Sequence, residues 1–114
     1  KEELKSIFIK TDYKLVQIEL DKILYMEGLK DYVKIYVENE PHPILSLMSL
    51  KSLKDVLPSD RFIRVHRSFI VQTDKIKIIE RNRIVFGKQY IPISDSYKSN
   101  FQAMINQRSI TGKS

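Results

Sequence analysis

Short apolar runs broken by polar turns extend along the whole of this 114-residue chain, and that spacing constrains the fold more than any other feature. Val33, Ile35 and Val37 alternate with Lys34, Tyr36 and Glu38, the period of a strand with one buried face. The same reading places strands at Ser6 to Lys10 and Lys14 to Glu19, joined at the turn-forming Thr11-Asp12. A second pair is expected at Lys22 to Gly28 and Tyr32 to Glu38. Pro41 and Pro43 bracket His42 in the following turn, and a strand resumes at Ile44 to Met48. Further strands are expected at Phe62 to Val65, Phe69 to Gln72, Lys75 to Glu80, Arg83 to Gly87 and Gln89 to Ile93. Two segments break this rhythm. Ser49 can accept from the free amides of a first helical turn, and Leu50, Leu53, Val56 and Leu57 then share a face, with Lys51, Lys54 and Asp55 outside. A last helix starts at Ser94, with Tyr97, Phe101, Met104 and Ile105 as its apolar stripe. The expected class is mainly β, small antiparallel sheets with two short helices, and nothing in the pattern resembles a helix-turn-helix.

The chain is long enough for one domain with a modest core. Residues 1–5 read as a linker leaving an upstream domain, 6–108 as the folded domain and 109–114 as a flexible tail. With no cysteine, disulfides and thiolate metal sites are excluded, and two histidines are too few for a dedicated zinc site. Only three glycines occur, with no phosphate-cradling loop and no nucleophile elbow. The expectation is a non-enzyme without cofactor or metal. No apolar run approaches bilayer length and no signal peptide stands at the start, so a cytoplasmic setting away from membranes is expected.

The net charge of +6 gains meaning from its position. Between Arg61 and Lys88 lie eight basic residues against two acidic ones, and the twelve basic and twelve acidic residues elsewhere cancel. One explanation is a solvated face of an ordinary basic protein. The other is a polyanion footprint, in which lysine and arginine displace counterions from phosphates.

The run Arg61-Phe62-Ile63-Arg64-Val65-His66-Arg67-Ser68-Phe69-Ile70-Val71 closely resembles the signature of the LytTR family of bacterial DNA-binding domains. Three flanking blocks agree in order and spacing. Ile23-Leu24-Tyr25-Met26-Glu27 leading to Asp31-Tyr32-Val33 is similar to that family's central hairpin. Ser49 to Leu53 is similar to its first helix, and Gly87 with Ile91-Pro92-Ile93-Ser94 to its closing strand and final turn. The resemblance covers about Ile7 to Ile105. It implies a fold that docks along one side of the duplex and reads double-stranded DNA through loops inserted into the grooves. Such domains are typically the C-terminal output domains of two-component transcriptional response regulators. They sit behind a phosphorylatable receiver addressed by a sensor kinase, and they bind paired repeats as dimers.

Three loops are implied as contacts. In Leu29-Lys30-Asp31-Tyr32, Lys30 supplies charge and Tyr32 can donate to a phosphate or a base edge. Tyr32 could instead pack on its neighbouring strand. In His66-Arg67-Ser68, Arg67 offers a planar fork suited to guanine O6 and N7 or to a phosphate, with a surface salt bridge as the alternative. His66 is either a phosphate donor or a residue that orients the turn. Arg64, alternating with Ile63 and Val65, either reaches the DNA backbone or lays its stem over the sheet. In Ser94-Asp95-Ser96, with Lys98 nearby, a helix start favours an anion. Many family members carry a basic residue where Asp95 stands here, so Asp95 either caps the helix or accepts from a cytosine amino group. Arg81, Arg83 and Lys88 lie at turns, where they add phosphate contacts or blunt strand edges. The rival functions are an RNA-binding module, which would display aromatics for single strands, and a module docking an acidic protein partner.

Overall fold

A computed structural model describes residues 4–109. Most of the linker-like start and most of the tail therefore lie outside the described residues. The Lys5 carbonyl accepts from the Leu20 amide at 2.9 Å, just ahead of the first strand.

Among the described residues, ten strands and two α-helices form three layers. The middle layer is a five-stranded antiparallel sheet in the order β5-β4-β3-β7-β6, built from Ile44–Ser46, Val33–Val37, Ile23–Gly28, Phe69–Gln72 and Phe62–His66. One face is covered by the β1–β2 hairpin (Ser6–Lys10 and Leu15–Glu19) and by α1 (Leu50–Val56). There Ile9 and Ile18 meet Met26, Val33, Ile35, Phe62, Ile70, Leu50 and Leu53. The other face is covered by a three-stranded sheet, β10-β9-β8 (Gln89–Pro92, Arg83–Phe86 and Ile78–Glu80), and by α2 (Asp95–Arg108). Here Tyr25, Val65 and Val71 pack on Ile84, Ile91 and Phe101. Strand alternation thus feeds two cores at once: in β4, Val33 and Ile35 go to the first and Tyr36 to the second. A register shift between Ile23 and Tyr25 in β3 lets the consecutive Leu24 and Tyr25 both face the second core.

The helices form where expected, with one correction. Ser49 caps α1 by accepting from the Ser52 amide at 3.0 Å. Leu50, Leu53 and Leu57 are buried, but Val56 is 56% exposed. At 100° per residue Val56 falls about 120° around the helix from Leu50, off the buried stripe. Leu57, the extended C-cap residue, is buried beside them. Several expected strands are shorter. Thr73–Lys75 forms a 3-10 turn, so β8 spans only Ile78–Glu80, and β5 ends at Ser46. Strands β2, β3 and β4 each begin one residue later than the sequence pattern suggested, β4, β9 and β10 each end one residue earlier, and β6 runs one residue further, to His66. Gln72 is 1% exposed yet fully bonded: its amide donates to the Leu20 and Ile23 carbonyls at 2.8 and 2.6 Å, and its oxygen accepts from Arg61. No helix among the described residues is long and apolar enough to cross a membrane.

Candidate nucleic-acid interface

Strand direction decides which loops meet. Strand β3 runs antiparallel to both β4 and β7, so the β3–β4 loop and the β6–β7 turn emerge at one end of the middle sheet. The Gly28 amide donates to the Ser68 carbonyl at 2.8 Å and ties them together. One residue before His66, the Val65 carbonyl accepts from the Ser94 amide at 2.9 Å, which adds the start of α2. The Ile93 amide in turn donates to the Asn82 carbonyl at 3.0 Å, drawing in the β8–β9 turn. Four chain reversals are therefore laced side by side by backbone hydrogen bonds.

Within the β3–β4 loop, the Leu29 amide donates to the Tyr32 carbonyl at 2.8 Å and closes a tight reversal. Lys30 and Asp31 are exposed at its tip. Tyr32 is half-buried and lines a cleft of about 400 Å³ with Lys10, Thr11, Asp12 and Leu47.

The β6–β7 turn is held from three sides. His66 Nδ1 accepts from the Ser68 amide at 3.0 Å, and the ring meets Phe69 edge-on at 5.6 Å. With Nδ1 acting as acceptor, the imidazole hydrogen sits on Nε2 as the ring's remaining donor. Arg64 is also committed to the turn. Its Nε donates to the His66 carbonyl at 3.3 Å, its Nη2 donates to the Arg67 carbonyl, and its guanidinium lies 5.8 Å from the Tyr97 ring of α2. Arg67 itself is exposed, and no salt bridge or side-chain hydrogen bond engages its guanidinium among the described residues. The fixed turn presents a free fork.

At the third loop, Ser94 occupies the N-cap position, but its hydroxyl makes no cap hydrogen bond. Asp95 and Lys98 are exposed on the first turns of α2, where the acidic Asp95 complements the positive helix end.

The remaining basic residues diverge. Arg81 and Asn82 both have positive φ, 51° and 61°, between the paired Glu80 and Arg83. That is the signature of a type I′ turn. Arg83 is occupied: it lies 4.0 Å from Glu80 and 4.2 Å over the Tyr90 ring. Lys88 follows Gly87 (φ 60°) at the β9–β10 turn. Phe86 pairs with Gln89 and Arg83 with Pro92, so Lys88 stands about 10 Å or more away, at the opposite end of that hairpin. The basic stretch is likewise divided in space, since Arg61 pairs with Asp21 and Lys75 with Glu38. Gly28 and Asn82 join the loops through their backbones. The only sequence signal for either is asparagine in a two-residue turn between strands.

The family model described as the LytTr DNA-binding domain matches residues 13–106. Among solved structures, the chain is similar to the LytTr DNA-binding domain of a Bacillus cereus protein described as a methyl-accepting/DNA response regulator. The identity is 27% and the TM-score 0.74, with 90% of this chain and 98% of that one covered.

Proposed function

The chain belongs to the LytTR family of DNA-binding domains, and from that premise we propose that it reads double-stranded DNA sequence-specifically through its laced loops. The observation that carries this reading is the β6–β7 turn. Its backbone is immobilised by His66, Arg64 and Gly28, while Arg67 at its tip has no partner among the described residues. A fork held by a rigid frame suits bidentate contact with a guanine edge in the major groove. Lys30 and Tyr32 on one side, and Ser94 with Lys98 on the other, supply flanking contacts to phosphate and sugar that set the register. His66 Nε2 and the Ser68 hydroxyl add donors beside Arg67, and Asp95 is suited to accept from a cytosine amino group. Arg64 serves the turn from inside. The response-regulator description of the Bacillus cereus relative supports a place as the output domain of a two-component regulator. The chain would then act behind a receiver domain controlled by a sensor kinase, and as a dimer on paired repeats.

An RNA-binding platform is disfavoured by where the aromatic rings lie. Tyr25 stacks on Tyr36 at 4.4 Å and meets Phe86 at 5.0 Å inside the second core, while the exposed Phe8, Tyr13 and Tyr90 are divided between the β1–β2 hairpin and β10 rather than gathered on one strand face.

Selection from a random duplex pool tests the proposal. A defined motif should emerge whose affinity survives competitor DNA and exceeds that of the matching RNA. Arg67→Ala should weaken that duplex by about 1–3 kcal/mol and relax preference at one base position. Equal affinity of the parent for all polyanions would refute sequence-specific reading.

A further inference from the structure

We infer that the β8–β9 turn is a fourth DNA-contact element, in which Arg81 contacts a phosphate beside the third loop. The inference rests on the DNA-binding reading above and extends it to a turn outside the three family loops. Three observations carry it. The Asn82 carbonyl accepts from Ile93, so the turn is fixed against the junction that leads into Ser94 and α2. Arg81 is exposed, and among the described residues no salt bridge holds it. It also occupies a left-handed conformation, φ 51°, which a two-residue type I′ turn reserves by preference for asparagine, aspartate or glycine.

The third observation separates function from upkeep of the fold. A side chain with Cβ in the left-handed region shifts the folding equilibrium unfavourably by roughly five- to thirtyfold. Arg81 offsets that cost with no ion pair of its own. Nor does it blunt an edge strand, because it stands in the turn rather than on β8. Arg83, two residues on, differs in lying over the Tyr90 ring and 4.0 Å from Glu80. What the position gains from arginine is a charged fork directed outward, suited to phosphate oxygens.

Substitution at this site should therefore move stability and binding in opposite directions. Arg81→Asn and Arg81→Gly should raise the urea midpoint of unfolding. Each should also weaken binding to the selected duplex and to a scrambled one by a similar factor, roughly five- to tenfold near 0.1 M salt. The slope of log K against log salt should fall by about 0.9. Lys88→Gln removes the same charge from the far end of the hairpin and should leave the slope unchanged. Raised stability with unaltered affinity and slope would overturn the inference. So would a loss confined to the selected duplex, which would make Arg81 a base contact. If the parent binds no duplex, the DNA-binding reading fails and this inference with it. If only the Arg81 variants behave like the parent, this inference fails alone.

Discussion

Arg64 separates two mechanisms that a simple binding assay would confuse. A phosphate contact needs only its charge, whereas a brace for the β6–β7 turn needs its fork. Arg64→Lys keeps the charge and removes the paired geometry that serves the His66 and Arg67 carbonyls. Both carbonyls lie near the surface, so each lost bond should cost about 1 kcal/mol rather than the larger penalty of a buried one. The contact with Tyr97, at 5.8 Å, adds about 0.5 kcal/mol. Lysine can recover one of the bonds, so a loss of about 1–2 kcal/mol in unfolding free energy is expected. Binding should suffer selectively. A loosened turn misplaces the Arg67 fork and costs about 1–3 kcal/mol on the selected duplex, a five- to 150-fold loss. Scrambled duplex should bind as before, and the slope of log K against log salt should not change. Fluorescence anisotropy over a salt series, on both duplexes, provides every quantity. Near-parental binding by Arg64→Lys, together with a slope lowered by about 0.9 in Arg64→Ala, would refute the brace and make Arg64 a phosphate contact.

Gln72→Leu should destabilise the fold by about 2–4 kcal/mol in urea unfolding, because the Leu20 and Ile23 carbonyls lose their common donor inside the core. Gly28→Ala should cost about 1–3 kcal/mol by the same measurement. A Cβ there would lie 2.7 Å from Leu50 Cγ, so the buried Leu50 side chain, or the backbone that carries it, must shift. Burial, reinforced by the neighbouring Tyr36 and Glu27, pushes the Tyr25 hydroxyl up from 10.0 to about 12. Between those values the unfolded chain releases a proton that the folded chain retains, so stability should fall as pH rises through this window, by on the order of 2 kcal/mol. Urea midpoints at pH 9 and 11.5 should show the drop, and Tyr25→Phe should remove most of it.

Alternation was enough to locate the strands, because a residue's face is decided locally by the period of two. The α1 cap was legible for a similar reason, since Ser49 bonds within its own turn. Val56 was not, because a short helix that ends at that residue leaves its flank exposed while Leu57 reaches the core from extended chain. The candidate site was legible as a motif and illegible as a charge count. Eight basic residues adjoin in sequence, yet antiparallel folding sends Arg61 and Lys75 to Asp21 and Glu38, and Lys88 to the far end of its hairpin. The inward duty of Arg64 was hidden too, because a guanidinium on backbone carbonyls depends on the turn's three-dimensional course. Tyr32 and His66 each had two readings. In the structure Tyr32 is half-buried at the edge of a cleft, and His66 accepts from the Ser68 amide within its own turn.

The joints between the reversals are main-chain amides and carbonyls: Gly28 to Ser68, Ser94 to Val65, and Ile93 to Asn82. Such joints are indifferent to most side chains. A lineage can therefore exchange the residue at the tip of a loop, and so its preferred operator, without re-engineering the scaffold that aims it. Asp95, next to the Ser94 joint, is one position where this scaffold would tolerate such an exchange. Divergence of operators within the family can then proceed one tip residue at a time.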